Sequence, residues 1–157
     1  MIIPFVNLKK QSRLEKKTIL KAVKQTLKSS NFILGDSNIN LEKKISHFKK
    51  SKYCALLNSG TDALTLGLHV LGIKRGDEVI TCSNSFIASV ASIVHLGAKP
   101  IFVDVKDDQN INPNLIEAKI TKKTKAIMPV HLTGRVCDMS AVIKIARKYK
   151  LKVIEDA

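Results

Sequence analysis

Tryptophan is absent from these 157 residues, and aromatic side chains make up only 4% of them. Any core must therefore be built from Ile, Leu, Val and Ala. Single-stranded nucleic acid, which binds by stacking on aromatics, finds little to stack on. Only four of the 27 basic residues are arginine, namely Arg13, Arg75, Arg135 and Arg147. Base readout and bidentate phosphate contacts favour arginine, which argues against specific nucleic-acid recognition. The three cysteines, Cys54, Cys82 and Cys137, form no C-x-x-C pair. An odd set of thiols among apolar neighbours reads as reduced and structural. His47, His69, His95 and His131 show no metal-ligand spacing with one another or with the cysteines, so no metal site is expected. No apolar run approaches the ~20 residues that a membrane-spanning helix needs. The opening MIIPFVNLKK lacks the basic-then-apolar order of a secretory signal, which makes the cytoplasm the expected location.

What the chain has in abundance is lysine. The formal net charge is +14, and it is unevenly spread. Residues 1–52 carry +10, residues 53–105 carry −1 and residues 106–157 carry +5. Lys9, Lys10, Arg13, Lys16, Lys17, Lys21, Lys24 and Lys28 recur at helical spacing, with Leu14, Ile19, Leu20, Val23 and Leu27 on the other side. That pattern predicts an amphipathic helix over 9–28 with a solvated basic face. One functional reading follows directly: a non-catalytic, basic α/β module that binds a polyanion or a partner chain. Such binding would weaken steeply with salt.

After a second short helical pattern near 38–49, an alternation begins. The stretches 53–57, 78–82, 100–105, 125–132 and 151–156 read as strands, and 60–72, 85–96, 113–120 and 137–149 as helices. Short apolar strands alternating with helices of about ten residues imply βαβ units and a mostly parallel sheet. Two regions are expected, an N-terminal helical segment over 1–52 and an incomplete α/β cofactor-binding domain over 53–157. Ala157 directly follows a strand, and parallel sheets need both faces covered. A truncated domain is the expectation.

The sharpest local signal is Asn58-Ser59-Gly60-Thr61-Asp62-Ala63-Leu64, between a strand and a helix. A small, hydroxyl-bearing turn that opens a helix leaves backbone N–H groups at the positive end of the dipole, which suits a phosphate. The same residues also make an ordinary N-cap. Neither G-x-G-x-x-G nor G-x-x-x-x-G-K is present, so dinucleotide and nucleoside-triphosphate loops are excluded by pattern. His131 and Asp156 each end a strand, where site residues of open α/β sheets collect. Asp156 could hold a cationic ring nitrogen or cap a following helix. Phe86, just after strand 78–82, could present its ring to a flat ligand or pack into the core.

SGTDAL at 59–64, GDEVITCSNSFIAS at 76–89, KPIFVDV at 99–105, TKAIMPVHLTGR at 124–135 and VIEDA at 153–157 occur in that order. Together with IPFVNLKKQ and NFILG near the start, they resemble the DegT/DnrJ/EryC1/StrS sugar aminotransferases. The resemblance runs from Ile3 to Ala157 and covers the N-terminal part of a family member, somewhat under half. It implies a fold-type I aminotransferase large-domain fragment that binds pyridoxal 5′-phosphate. Carried over residue by residue, it puts the phosphate cup at Gly60 and Thr61, the ring-stacking aromatic at Phe86 and the ring-nitrogen partner at Asp156. An ionised Asp keeps the ring nitrogen cationic, so the ring can accept electrons during amino transfer.

The resemblance further implies a nucleotide-linked keto-sugar substrate in amino-sugar or surface-polysaccharide biosynthesis, an amino-acid donor such as glutamate, and a homodimer. Asp36 departs from the family, which commonly has Pro or another small residue after NFILG. None of the 23 lysines stands in the sequence context of the family's Schiff-base lysine. No catalytic residue is therefore expected in this chain, which alone should not transaminate. Some relatives replace that lysine with His and perform dehydration, a position that these residues do not include.

Overall fold

The computed structural model describes residues 3–157, in two units divided between Leu56 and Leu57. The first holds two helices, α1 (Leu8–Ser29) and α2 (Asp36–Lys49). Asn7 caps α1, its side-chain oxygen accepting from the Lys10 N–H at 3.0 Å. Ser30 ends the helix in the left-handed conformation, returning its N–H to the carbonyls of Thr26 and Leu27. This closes the terminal turn as a glycine would. Neither helix has a buried residue, so the apolar side chains Leu14, Ile19, Leu20, Val23 and Leu27 stay exposed beside the lysines.

The strand expected over 53–57 does not form. A strand needs a neighbour to take its backbone groups, and among the described residues none pairs with this stretch. The Leu56 N–H instead donates to a carboxylate oxygen of Glu42 on α2 at 2.9 Å.

The second unit is an α/β fold, a parallel sheet flanked by helices. It comprises α3 (Gly60–Val70), β1 (Glu78–Cys82), α4 (Ile87–His95), β2 (Lys99–Val103), β3 (Thr124–Ile127), α5 (Met139–Tyr149) and β4 (Lys152–Val153). The four strands lie in the order β2-β1-β3-β4, every pairing parallel. β1 is buried along its whole length, as a central parallel strand must be.

Alternation along the strands divides the core between two faces. Val79, Ala126 and Met128 pack with Leu64 and Leu68 of α3 and Ile93 of α4. Ile80 and Ile127 pack with Val142, Ile145 and Ala146 of α5, and with Ile111 and Ile116. Gly72, at φ +86°, ends the α3 region and lets the chain turn into β1, a conformation that an L side chain rarely takes.

Three strands are shorter than their apolar runs, because pairing rather than composition sets their ends. Beyond β3 and β4 only an isolated bridge, Val130 to Asp156, continues the ladder. The segment 113–120 is two turns of 3₁₀-helix, Pro113–Leu115 and Glu117–Lys119, rather than an α-helix. Asn112 caps it, accepting from the Asn114 N–H at 3.1 Å. At its far end the Thr121 N–H is already held by the Thr124 hydroxyl at 2.9 Å. Too few residues remain between these anchors for a stable α-helix.

The strand order carries a functional consequence. From β1 the chain moves outward to β2, then returns to place β3 on the other side of β1. Ligands of open α/β sheets sit beyond the carboxyl ends of the strands, where the order reverses.

Candidate functional site

Three chain segments meet at that edge. The loop after β1 leads through Ser85 and Phe86 into α4, β4 leads through Ile154 to Asp156, and α3 begins at Gly60. Gly67 sets how closely α3 lies on the segment after β4. A Cβ placed there would come within 2.7 Å of Ile154 Cδ1. With hydrogen in that place, the start of α3 comes beside Asp156. A cavity of about 240 Å³ results, lined by Gly60, Thr61, Leu64, Phe86, Ala88, Ser89 and Asp156. The structure thus brings Gly60, Thr61, Phe86 and Asp156 together, although they are as far apart as 96 positions in the chain.

At the helix start, Ser59 is the N-cap and its hydroxyl accepts from the Asp62 N–H at 3.1 Å. Ser59 is thereby used in capping. The N–H groups of Gly60 and Thr61, in the first turn, have no intrahelical acceptor. Added to the helix dipole, they make this mouth of the cavity favourable to an anion. Phe86 is 75% exposed, so it is not a core residue. Its ring is free to meet a ligand.

Asp156 is fixed on both sides of its backbone. Its N–H donates to the Pro129 carbonyl at 3.0 Å, and its carbonyl accepts from the His131 N–H at 2.9 Å. It therefore extends the ladder beyond β3 and β4. Its Oδ2 accepts from the hydroxyl of Ser89 at 2.5 Å, and the Ser89 oxygen lies 2.6 Å from that of Ser85. Ser89 belongs to no recognisable site motif in the sequence. The available signal was two hydroxyls four positions apart on either side of Phe86, a spacing that brings side chains together where a helix begins.

His131 does not line the cavity. Its Nδ1 accepts from the Cys137 N–H at 3.2 Å, which leaves the proton on Nε2 to donate to Glu155 Oε2 at 2.9 Å. This pair clasps the turn after β3 to the residue next to Asp156. Cys82 and Cys137 are buried thiols and Cys54 is half-buried. Burial pushes Cys82 up, and the negative charge of Asp156 adds to it. A buried thiol held in its protonated form is no nucleophile. Among the described residues no cluster of His, Cys, Asp and Glu could hold a metal ion.

Comparison with known proteins identifies the family. The model of the DegT/DnrJ/EryC1/StrS aminotransferase family matches residues 13–157. The dTDP-3-amino-3,6-dideoxy-alpha-D-galactopyranose transaminase of Aneurinibacillus thermoaerophilus is 44% identical over 156 residues, covering 99% of this chain and 43% of that protein. The UDP-2-acetamido-2-deoxy-3-oxo-D-glucuronate aminotransferase of Pseudomonas aeruginosa is 41% identical over 157 residues, covering 99% and 44%. Among solved structures, DesV of S. venezuelae superposes with a TM-score of 0.95 at 35% identity, over 99% of this chain and 42% of that one. NtdA of Bacillus subtilis, solved with its cofactor PMP bound, gives 0.94 at 39% identity, over 99% and 36%. The chain thus spans about two fifths of the length of the relatives it matches.

Proposed function

The chain belongs to the DegT/DnrJ/EryC1/StrS aminotransferase family, and from that premise we propose that the cavity at the start of α3 holds the pyridoxal phosphate cofactor on which the family depends. The observation that carries this reading is the meeting of a helix N-terminus, an exposed aromatic and a carboxylate around one cavity. Each chemical part of the cofactor has a suitable counterpart. Gly60 and Thr61 would take the phosphate through backbone N–H groups, and the Thr61 hydroxyl adds a donor. Phe86 would lie against the ring. Asp156 would hold the proton on the ring nitrogen. When bound, the group supplies an electron sink for moving an amino group between a donor and a carbonyl compound.

The substrate proposed is a dTDP- or UDP-linked keto-sugar, with glutamate or a similar amino acid as donor. The reading is supported by relatives named for dTDP and UDP amino-sugars and by one named as a 3-oxo-glucose-6-phosphate:glutamate aminotransferase. A homodimer is part of the same proposal. No lysine lines the cavity. These 157 residues by themselves are therefore expected to hold the cofactor without amino transfer, and borohydride treatment should give no stoichiometric lysine adduct.

Calorimetric titration with pyridoxamine 5′-phosphate tests the site. Asp156→Asn keeps the shape and loses the charge. A charge-assisted buried pair is worth roughly 2–5 kcal/mol, and each ~1.4 kcal/mol is tenfold in affinity. Affinity should therefore fall by about thirtyfold or more. Asp62→Asn, one turn into α3, should change it by less than about threefold. Equal losses in the two variants would remove Asp156 from the ring nitrogen.

A further inference from the structure

We propose that Ser89, backed by Ser85, is a positioning residue for Asp156: it holds one carboxylate oxygen so that the other stays turned toward the bound ring. The proposal rests on the cofactor reading above and adds to it the device that orients the carboxylate.

The direction of the hydrogen bonds follows from their chemistry. An ionised carboxylate only accepts, and a serine hydroxyl has a single proton. Ser89 must give that proton to Asp156 Oδ2, at 2.5 Å. The 2.6 Å contact between the two serine hydroxyls then runs from Ser85 to Ser89. Each bond polarises the next, which strengthens the chain in a dry setting. Ser89 is 1% exposed, so water does not compete for its proton.

Asp156 needs such a hold. The bridge to Pro129 and His131 fixes only its backbone, leaving the rotation of the carboxyl group free. Among the described residues, Ser89 is the side chain that donates to that carboxyl group. Ser89 is itself anchored in the first turn of α4. Its N–H donates to the Phe86 carbonyl at 3.1 Å, and its carbonyl accepts from the Ser92 hydroxyl at 2.9 Å. One helical turn thus carries Phe86 and also orients Asp156. Ring plane and ring-nitrogen partner are set by the same element.

The test compares pyridoxamine 5′-phosphate with its 1-deaza analogue, in which carbon replaces the ring nitrogen, by titration calorimetry on the whole chain. Ser89→Ala should weaken pyridoxamine 5′-phosphate by about three- to tenfold, the range for one lost hydrogen bond. It should leave the analogue unchanged, because Asp156 then has no ring N–H to meet. Ser89→Thr restores the donor and should restore binding. If Ser89→Ala does not fold, Ser85→Ala, at a half-buried position, should show the same selectivity to a smaller degree. Equal weakening of both ligands would make Ser89 merely structural and overturn the proposal. So would a silent Ser89→Ala alongside a weakened Asp156→Asn, an outcome that leaves the cofactor reading standing. If Asp156→Asn is silent too, or the unaltered chain binds neither ligand, the cofactor reading falls and takes this proposal with it.

Discussion

Burial holds the thiols of Cys82 and Cys137 above their ordinary value of 9.0; the negative charge of Asp156 adds to the rise at Cys82, and the carboxylates of Asp108 and Glu155 add to it at Cys137. A raised value in the folded chain means that these protons are held more tightly there than in the unfolded chain. The stability gained is complete below pH 9.0 and is lost as pH rises through the folded values. Two outcomes are expected. Denaturation midpoints should fall as pH is raised beyond that point. Near neutral pH, iodoacetamide should label half-buried Cys54 well before the other two, as peptide mass spectrometry would show. Labelling of Cys82 at the rate of Cys54 in the folded chain would contradict the burial argument. At this scale the sequence reveals a residue when its neighbours in the chain explain it. Gly60 and Thr61 are legible as a turn that opens a helix, and Asp156 as the end of a strand. Phe86 is ambiguous in sequence, because an aromatic after a strand serves a core equally well; only its exposure decides. Ser89 is hidden for a different reason. Its partner lies 67 residues away, and a strand order that no local pattern encodes brings the two together.

Gly67 and Glu78 show how elements are held at the distances the site requires. At Gly67, a Cβ would press on the terminal methyl of Ile154. Ala there gains roughly 1 kcal/mol of helix propensity over Gly, and the methyl can swing aside, so Gly67→Ala should be close to neutral. Gly67→Val adds a branched carbon that cannot avoid the strand. It should cost about 1–3 kcal/mol and lower the thermal midpoint by several degrees. It should also weaken pyridoxamine 5′-phosphate, because α3 is displaced from Asp156. A stable Gly67→Val chain with unchanged binding would show that α3 can move freely. At the amino end of the central strand β1, Glu78 is 8% exposed. It accepts from the Thr121 hydroxyl at 2.5 Å and from the Thr124 hydroxyl at 3.4 Å. Thr121→Val removes the short bond and leaves a buried carboxylate under-satisfied, a loss of roughly 1–3 kcal/mol measurable by urea denaturation. The order and type of most elements could be read from apolar spacing, glycine stops and caps such as Ser59 and Asn112. Their ends could not, since β3 stops where β1 ceases to pair with it. The apolar run 53–57 shows the same dependence, remaining unpaired because β-structure requires a neighbour that its own composition cannot supply.

At the scale of the whole chain, the alternation of strands and helices was enough to give a parallel α/β sheet, because few arrangements bury short apolar strands on both faces. The lysine series was legible as a solvated face for the same reason, its spacing being that of a helix. What composition concealed is how much apolar surface stays uncovered. Phe5, Leu34, Phe48, Val70, Phe86 and Ile87 are each more than two thirds exposed. Among the described strands, β2 and β4 are the open edges of the sheet, and such edges favour pairing with another copy. The net charge of +14 opposes that association through repulsion, which salt screens within about 10 Å at 0.1 M. The two tendencies predict opposite responses to salt. Association driven by apolar surface should grow with chain concentration and should persist or strengthen as salt is raised toward ~1 M. Polyanion binding through the lysines should instead fade over the same range. Sedimentation velocity across a concentration series at low and high salt separates these behaviours. The expected result is a rise in mean sedimentation coefficient with concentration, more marked at high salt. A single monomeric boundary under every condition, with a cooperative thermal transition at the same concentrations, would show that the exposed apolar side chains do not drive assembly.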